Sequence, residues 1–247
     1  MIYFISDIHL GYFPKEKNGL VEKMLIRLLD LISKDGNLLV IVGDLFDYWF
    51  DYRTVIPKDF FRVISKFDEL LEKGVKIIYL IGNHDFGHYK FFEEELGIEI
   101  YRDDLEQTFY GKKFYISHGD GKIKNDWGYK LLKFILRNKV SGTLFRLIHP
   151  DIGIKLAQKS SRKSRNYTEN RRNKDFDSLF EFAKLKIEQG YDYVVMGHSH
   201  RLEQRNYKNG MYINLGDWLG MPVVGIYDGK EFLVEPVEKM IQNTLRE

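Results

Sequence analysis

Cysteine is absent from the sequence. That excludes disulfides, thiolate metal sites and a cysteine nucleophile. No stretch approaches the roughly 20 apolar residues that cross a bilayer. The opening MIYFISDIHLGYF lacks a basic region followed by a long apolar run and a small-residue cleavage site, and has instead the pattern of a first strand. These absences predict a cytoplasmic protein without a transmembrane anchor. Internal repeats and low-complexity linkers are absent too. Core material is ample: 44% hydrophobic and 15% aromatic residues among 247 suit one large domain, or a domain carrying an insertion.

The net charge of +2 conceals an asymmetry. Residues 122–174 hold 15 Lys/Arg against 3 Asp/Glu, a local charge of +12, which leaves −10 for the remainder. Such a block suits a solvated face, an anionic-lipid surface or a nucleic-acid patch.

Five short apolar runs share one design. MIYFIS leads into Asp7, LLVIVG into Asp44, KIIYLIG into Asn83, KFYIS into His118 and YDYVVMG into His198. Each reads as a buried strand ending at a polar residue. Helical patterns at 20–32 and 58–73 separate the early runs, the second closed by Gly74. The alternation predicts layered α/β architecture with active residues at carboxyl ends of strands. Asn209-Gly210 and Asp228-Gly229 predict antiparallel hairpins after residue 200. Two or three helix-like stretches fill the basic segment, which lies between two strand-end motifs and reads as an insertion over the site.

The strand ends together offer Asp7-x-His9, Gly43-Asp44, Gly82-Asn83-His84-Asp85, His118-Gly119-Asp120 and Gly197-His198-Ser199-His200. Five of the seven histidines fall in these motifs. Carboxylate, imidazole and amide oxygen without thiolate suit Mn²⁺, Fe²⁺, Zn²⁺ or Mg²⁺. On an extended stretch, residues i and i+2 point the same way, so Asp7 with His9, and His198 with His200, can each reach one locus. Glycines just before the ligands allow sharp turns and close backbone approach.

The array resembles the calcineurin-like metallophosphoesterases, whose pattern D-x-H, G-D, G-N-H-D/E, H, G-H-x-H runs here across residues 7–200. The resemblance implies a four-layer α/β sandwich, two mixed β-sheets flanked by helices, forming one domain over 1–247 with a helical cap at 122–174. It implies two divalent ions, manganese first and Fe²⁺, Zn²⁺ or Mg²⁺ as alternatives. Asp7, His9 and His200 would bind one ion and Asn83, His118 and His198 the other, with Asp44 shared. His84 would contact the phosphate and protonate the leaving oxygen, with Asp44 or Asp85 nearby to orient it.

Beyond the ligands, SDIHLG, GDLFDYWFDY, GNHDF, HGDG, NDWGY, LGDW and FRLIHPDIGIKLAQKSSRKSR look like the UDP-2,3-diacylglucosamine pyrophosphatases of lipid A biosynthesis. That likeness implies hydrolysis of a UDP-activated diacylated sugar at the cytoplasmic face of the inner membrane, by a peripherally associated enzyme. Asn83, His84, Asp126, Tyr129, Ser160, Ser164, Arg165 and His198 would contact the substrate. Leu144, Phe145, Leu147, Ile148, Ile152 and Ile154, with apolar residues at 127–136, would line an acyl groove. One departure is His84, where the best-known members of that subfamily carry arginine.

Two rival classes follow from the same residues. A nuclease would use the same metal chemistry and the basic block to hold a phosphate backbone. Against it, that block is interleaved with long aliphatic residues rather than stacking aromatics, so nucleic acid is not the expected partner. A membrane-surface or partner-binding module retaining the metal fold only structurally is the other, and the complete ligand set argues against it.

Overall fold

The computed structural model describes residues 1–122, 138–169 and 172–244, with the side chains of all of these except 139, 160, 162–169, 172–177 and 244. Two mixed sheets form its centre. In the first, β1 (Ile2–Ile5), β2 (Leu38–Val42), β3 (Lys76–Leu80) and β4 (Glu99–Tyr101) run parallel. This sheet is extended past β1 by antiparallel β10 (Val223–Tyr227) and β11 (Phe232–Pro236). In the second, β6 (Lys112–Ser117), β7 (Tyr193–Met196) and β9 (Gly210–Leu215) are parallel. Its edges are antiparallel β5 (Leu105–Phe109) and β8 (Leu202–Tyr207).

Side-chain alternation sets the layers. Tyr3 and Ile5 of β1 face outward onto α1 (Lys15–Asp35) and α2 (Phe61–Glu72), meeting Leu25, Leu28, Ile32, Val63 and Phe67. Ile2 and Phe4 face the other way, onto Phe114, Ile116, Val195 and Ile213 of the second sheet. Tyr115, Val194 and Met196 then meet Leu179, Ala183 and Ile187 of α5 (Arg172–Glu188) on the far side. The order is helix, sheet, sheet, helix. Strands buried on both faces read as continuous apolar runs, and burying each large apolar residue contributes about 1.5–3 kcal/mol.

The helix predicted over 20–32 extends to Lys15–Asp35. The one predicted over 58–73 divides into a single tight turn, Lys58–Phe60, and α2. Gly74 follows α2 at φ +85°, where its missing Cβ removes the left-handed penalty. The first C-terminal hairpin turns one residue earlier than expected. Tyr207 pairs with Gly210, so Lys208 and Asn209 form the turn and Gly210 opens β9. A Cβ on Gly210 would lie 2.8 Å from Ile187 Cγ2, so close packing is what selects glycine there. Also, β9 pairs in parallel with β7, so the C-terminal region is not wholly antiparallel.

Within the basic segment lie α3 (Lys139–Phe145), capped by Asn138, whose side chain accepts the Val140 amide at 2.8 Å, and α4 (Pro150–Glu169). Helical spacing divides α4. Ile154 and Ala157 pack on the first core, and Ser161 is buried on the same face. Ile152 and Leu156 are exposed, with exposed Lys155 and Lys159 beside them. After β11, α6 (Val237–Thr244) packs against α1.

Candidate metal centre

All five expected strand ends converge. The carboxyl ends of β1, β2 and β3 meet those of β6 and β7 at one edge of the paired sheets. The residues at this edge adopt a backbone that the extended-strand expectation did not foresee. Asp7, His9, Asp44, His198 and His200 all have left-handed φ, from +50° to +68°. Each such turn costs about 1 kcal/mol for a residue with a Cβ. Interstrand bonds hold them: Asp7 N–H donates to Gly43 O at 3.2 Å, and His9 N–H to Asp44 O at 3.0 Å. Two glycines give the carboxylates room. A Cβ on Gly82 would lie 2.0 Å from Asp44 Oδ1, and one on Gly197 2.3 Å from Asp7 Oδ2.

The side chains form two adjoining groups. In one, His200 Nε2 lies 3.4 Å from Asp7 Oδ1 and 3.3 Å from His9 Nε2, and His9 Nε2 lies 3.7 Å from Asp7 Oδ1. In the other, Asn83 Oδ1 lies 3.0 Å from His118 Nε2 and 2.8 Å from His198 Nδ1. Asp44 Oδ2 stands between the groups, 3.3 Å from His118 Nε2 and 3.9 Å from His9 Nε2. His198 and His200, though two residues apart, reach different groups.

These side chains fit divalent cations. With bonds of about 2.0–2.2 Å, ligands around one ion sit roughly 3–3.6 Å apart, close to the spacings seen. Asp7 Oδ1 and Asp44 Oδ2 are buried with no hydrogen-bond partner among the described residues, an expensive state unless a cation takes their lone pairs. His118 Nδ1 donates to Val42 O at 2.9 Å, which leaves Nε2 as the nitrogen that faces Asn83 Oδ1 and Asp44 Oδ2.

Titration follows the same electrostatics. Burial pulls His118 down, but the Asp44 carboxylate outweighs it and holds the imidazole up at about 10. That proton supplies positive charge where the carboxylates call for it. Burial lowers His9 to about 3 and, with the His118 charge, His198 to about 4, leaving both neutral with lone pairs to offer. Burial pushes Asp7 upward, yet the nearby His9 ring and the His118 and His200 charges bring it down to about 2.

His84 is buried beside this cluster, its ring edge-on to His9 with centroids 5.0 Å apart. Its orienting partner is not the one the sequence suggested. Asp85 Oδ1 accepts the Gly82 amide, and Oδ2 accepts the Leu45 amide and the Tyr79 hydroxyl, so Asp85 clamps the loop. Asp44 Oδ1 accepts the backbone amide of His84 at 2.8 Å, not its ring. The ring meets Ser161, with Nδ1 2.7 Å from Oγ, and the Ser161 hydroxyl donates to Asp47 Oδ1 at 3.0 Å. Because the carboxylate can only accept, Ser161 receives the His84 Nδ1 proton and leaves Nε2 free to take or give one. Ser161 and Asp47 were both missed. Asp47 closes the GDLFD run, and Ser161 continues the inward spacing of Ile154 and Ala157.

Asp126 and Tyr129 lie outside the described residues, as do residues 127–136 and the side chains of Ser160, Ser164 and Arg165. The expected groove residues divide. Phe145 packs on Phe50 with ring centroids at 4.5 Å, and Ile154 joins the core, whereas Leu144, Leu147 and Ile152 are exposed.

The model of the calcineurin-like phosphoesterase family matches residues 1–202. The chain belongs to this family. A calcineurin-like phosphoesterase is a metal-dependent hydrolase, and the clusters above are able to hold its divalent ions. Among curated relatives, this phosphoesterase is similar to the UDP-2,3-diacylglucosamine hydrolase of Porphyromonas gingivalis (strain ATCC BAA-308 / W83). The two are 31% identical over 257 residues, covering 97% of this chain and 98% of that protein. It is also similar to proteins of the same name from Pseudomonas fluorescens (strain Pf0-1), 31% identical over 88% of both chains, and Haemophilus ducreyi (strain 35000HP / ATCC 700724). The latter is 28% identical over 87% of this chain and 91% of its own length.

Proposed function

We propose that this phosphoesterase hydrolyses the pyrophosphate of UDP-2,3-diacylglucosamine to UMP and 2,3-diacylglucosamine 1-phosphate, a step of lipid A synthesis. The observation that carries the reading is the 31% identity, end to end, with a hydrolase named for that substrate. Asp7, His9 and His200 would hold one ion and Asn83, His118 and His198 the other, with Asp44 available to both; manganese is the ion expected. Two such ions, when bound, polarise the phosphoryl oxygen and lower the pKa of a bound water. The side chains do the rest. Asn83 and His198 border the phosphate, and His84 Nε2 holds or delivers a proton at the leaving oxygen. Ser161 and Asp47 keep the ring in the tautomer that frees that nitrogen. Burial lowers the His84 pKa, so the neutral ring predominates until an anionic phosphate approaches.

Residues 122–174 act as a cap on the single domain, with Asp126, Tyr129, Ser160, Ser164 and Arg165 contacting the substrate. Exposed Val140, Leu144, Leu147, Ile152 and Leu156 with Lys155 and Lys159 suit an anionic bilayer, so the enzyme works as a peripheral protein on the cytoplasmic face of the inner membrane. None of the described helices is long and apolar enough to cross a membrane. The test supplies UDP-2,3-diacylglucosamine with Mn²⁺ and measures UMP and the lipid monophosphate. Cleavage of bis(p-nitrophenyl) phosphate without UMP release, or ready degradation of DNA, would overturn the substrate.

A further inference from the structure

His200 enters the cluster through Nε2. Its other ring nitrogen, Nδ1, lies 2.9 Å from Asp217 Oδ2. A carboxylate only accepts, so the proton is fixed on Nδ1, and Nε2 keeps the lone pair that a cation needs. Asp217 is itself pinned. Its Oδ1 accepts the amides of Leu219 and Gly220, both at 3.1 Å. The same loop is tied back to the site, since Trp218 donates its amide N–H to Asp7 O at 3.1 Å and its indole N–H to Val223 O at 3.0 Å. Asp217 cannot swing away without undoing that turn.

The other group is backed differently. His118 Nδ1 donates to the backbone carbonyl of Val42, a neutral dipole. A charged acceptor makes a hydrogen bond roughly twice as strong as a neutral one. It also adds electron density to the imidazole behind the ion. Asp217 reaches only one of the two groups through this contact.

We propose that Asp217 is the positioning residue of the ion held by Asp7, His9 and His200, and that it governs that ion without governing its neighbour. This rests on the ligand assignment proposed above. The test is a calorimetric titration of the metal-free full-length protein with Mn²⁺, paired with metal content after gel filtration. Wild type takes up two ions. Asp217→Ala weakens one of them by roughly 10–100-fold and leaves the other unchanged. Asp217→Asn keeps an oxygen for the Leu219 and Gly220 amides and turns its NH₂ toward His200 Nδ1. The ring proton then moves to Nε2, and the same single ion is lost while the turn stands, shown by an unchanged Tm of the metal-free protein. Two ions bound at wild-type affinity in both variants would overturn the proposal. So would equal weakening of both ions in a variant with unchanged metal-free Tm. Fewer than two ions in the wild type would instead overturn the ligand assignment, and this inference with it.

Discussion

Replacing His88 with phenylalanine should stabilise the protein, and by more in acid than in alkali. His88 is 8% exposed, and neither ring nitrogen has a hydrogen-bond partner among the described residues. It sits among rings, stacked on Trp49 at 5.7 Å with Tyr79 at 4.7 Å and Phe92 at 5.0 Å. An unpaired buried polar atom costs about 1–3 kcal/mol, and fitting a slightly larger ring costs about 1–3 kcal/mol where the core cannot yield. With two nitrogens relieved, the net gain at pH 8 is about 1–2 kcal/mol, a Tm rise of roughly 2–8 °C for a protein this size. Burial, with the Arg102 charge, lowers the His88 pKa well below the usual 6.5. The folded ring therefore stays neutral as pH falls through 6.5, while the unfolded ring takes a proton. Unfolding then binds protons, and wild type loses about 1.4 kcal/mol per pH unit below 6.5 until the folded pKa is reached. His88→Phe lacks that loss, so its advantage should widen by about 1.4 kcal/mol between pH 8 and pH 5.5. Urea denaturation of both proteins at these pH values, at equal metal content, measures the gap. A variant less stable at pH 8, or a gap that stays flat with pH, would refute the reasoning.

At the metal centre, Asp44→Ala should release both ions and cut hydrolysis of bis(p-nitrophenyl) phosphate more than any other single ligand change, checked by elemental analysis beside kinetics. His84→Ala should lower kcat roughly 10²-fold with both ions retained. Ser161→Ala should lower kcat less and shift the pH profile of kcat, since the His84 ring loses its tie to Asp47. Away from the site, Asp104 accepts from Ser117 at 2.6 Å and from Tyr115 and Lys122, and these bonds outweigh burial to hold its pKa below the ordinary carboxylate value. Its stabilising contribution is present above the unfolded pKa and is lost as pH falls through the folded one. Asp104→Asn should therefore cost about 2 kcal/mol at pH 7, and the difference should shrink below about pH 4, read from urea midpoints.

The strands and the cluster of side chains at their ends were legible because each apolar run ends in a polar residue at the same edge, a pattern that core packing alone does not produce. Asp7, Asp44, Asn83, His118 and His198 lie where those endings place them. The conformation was not legible: i, i+2 pairs were read as extended, yet Asp7, His9, His198 and His200 are left-handed. Ser161 and Asp47 escaped because their partnership spans 114 positions, and no spacing in the sequence announces it. Asp217 stood in the conspicuous LGDW, but its role depends on a loop folding back 17 positions onto His200. Asp85 drew the wrong role because sequence adjacency to His84 says nothing of where its oxygens point.

The left-handed turns also act as a filter on what evolution can place at the centre. Aspartate, asparagine and histidine are the residues other than glycine that tolerate this backbone best, and they carry short oxygen or nitrogen donors. Exchanging Asp7 or Asp44 for glutamate would thus fail twice, by lengthening the arm and by raising the cost of the turn. Valine or threonine, branched at Cβ, would be resisted more strongly still. Donor chemistry and backbone geometry select the same three side chains, so drift at these five positions is confined to a narrow alphabet whatever metal the cell supplies.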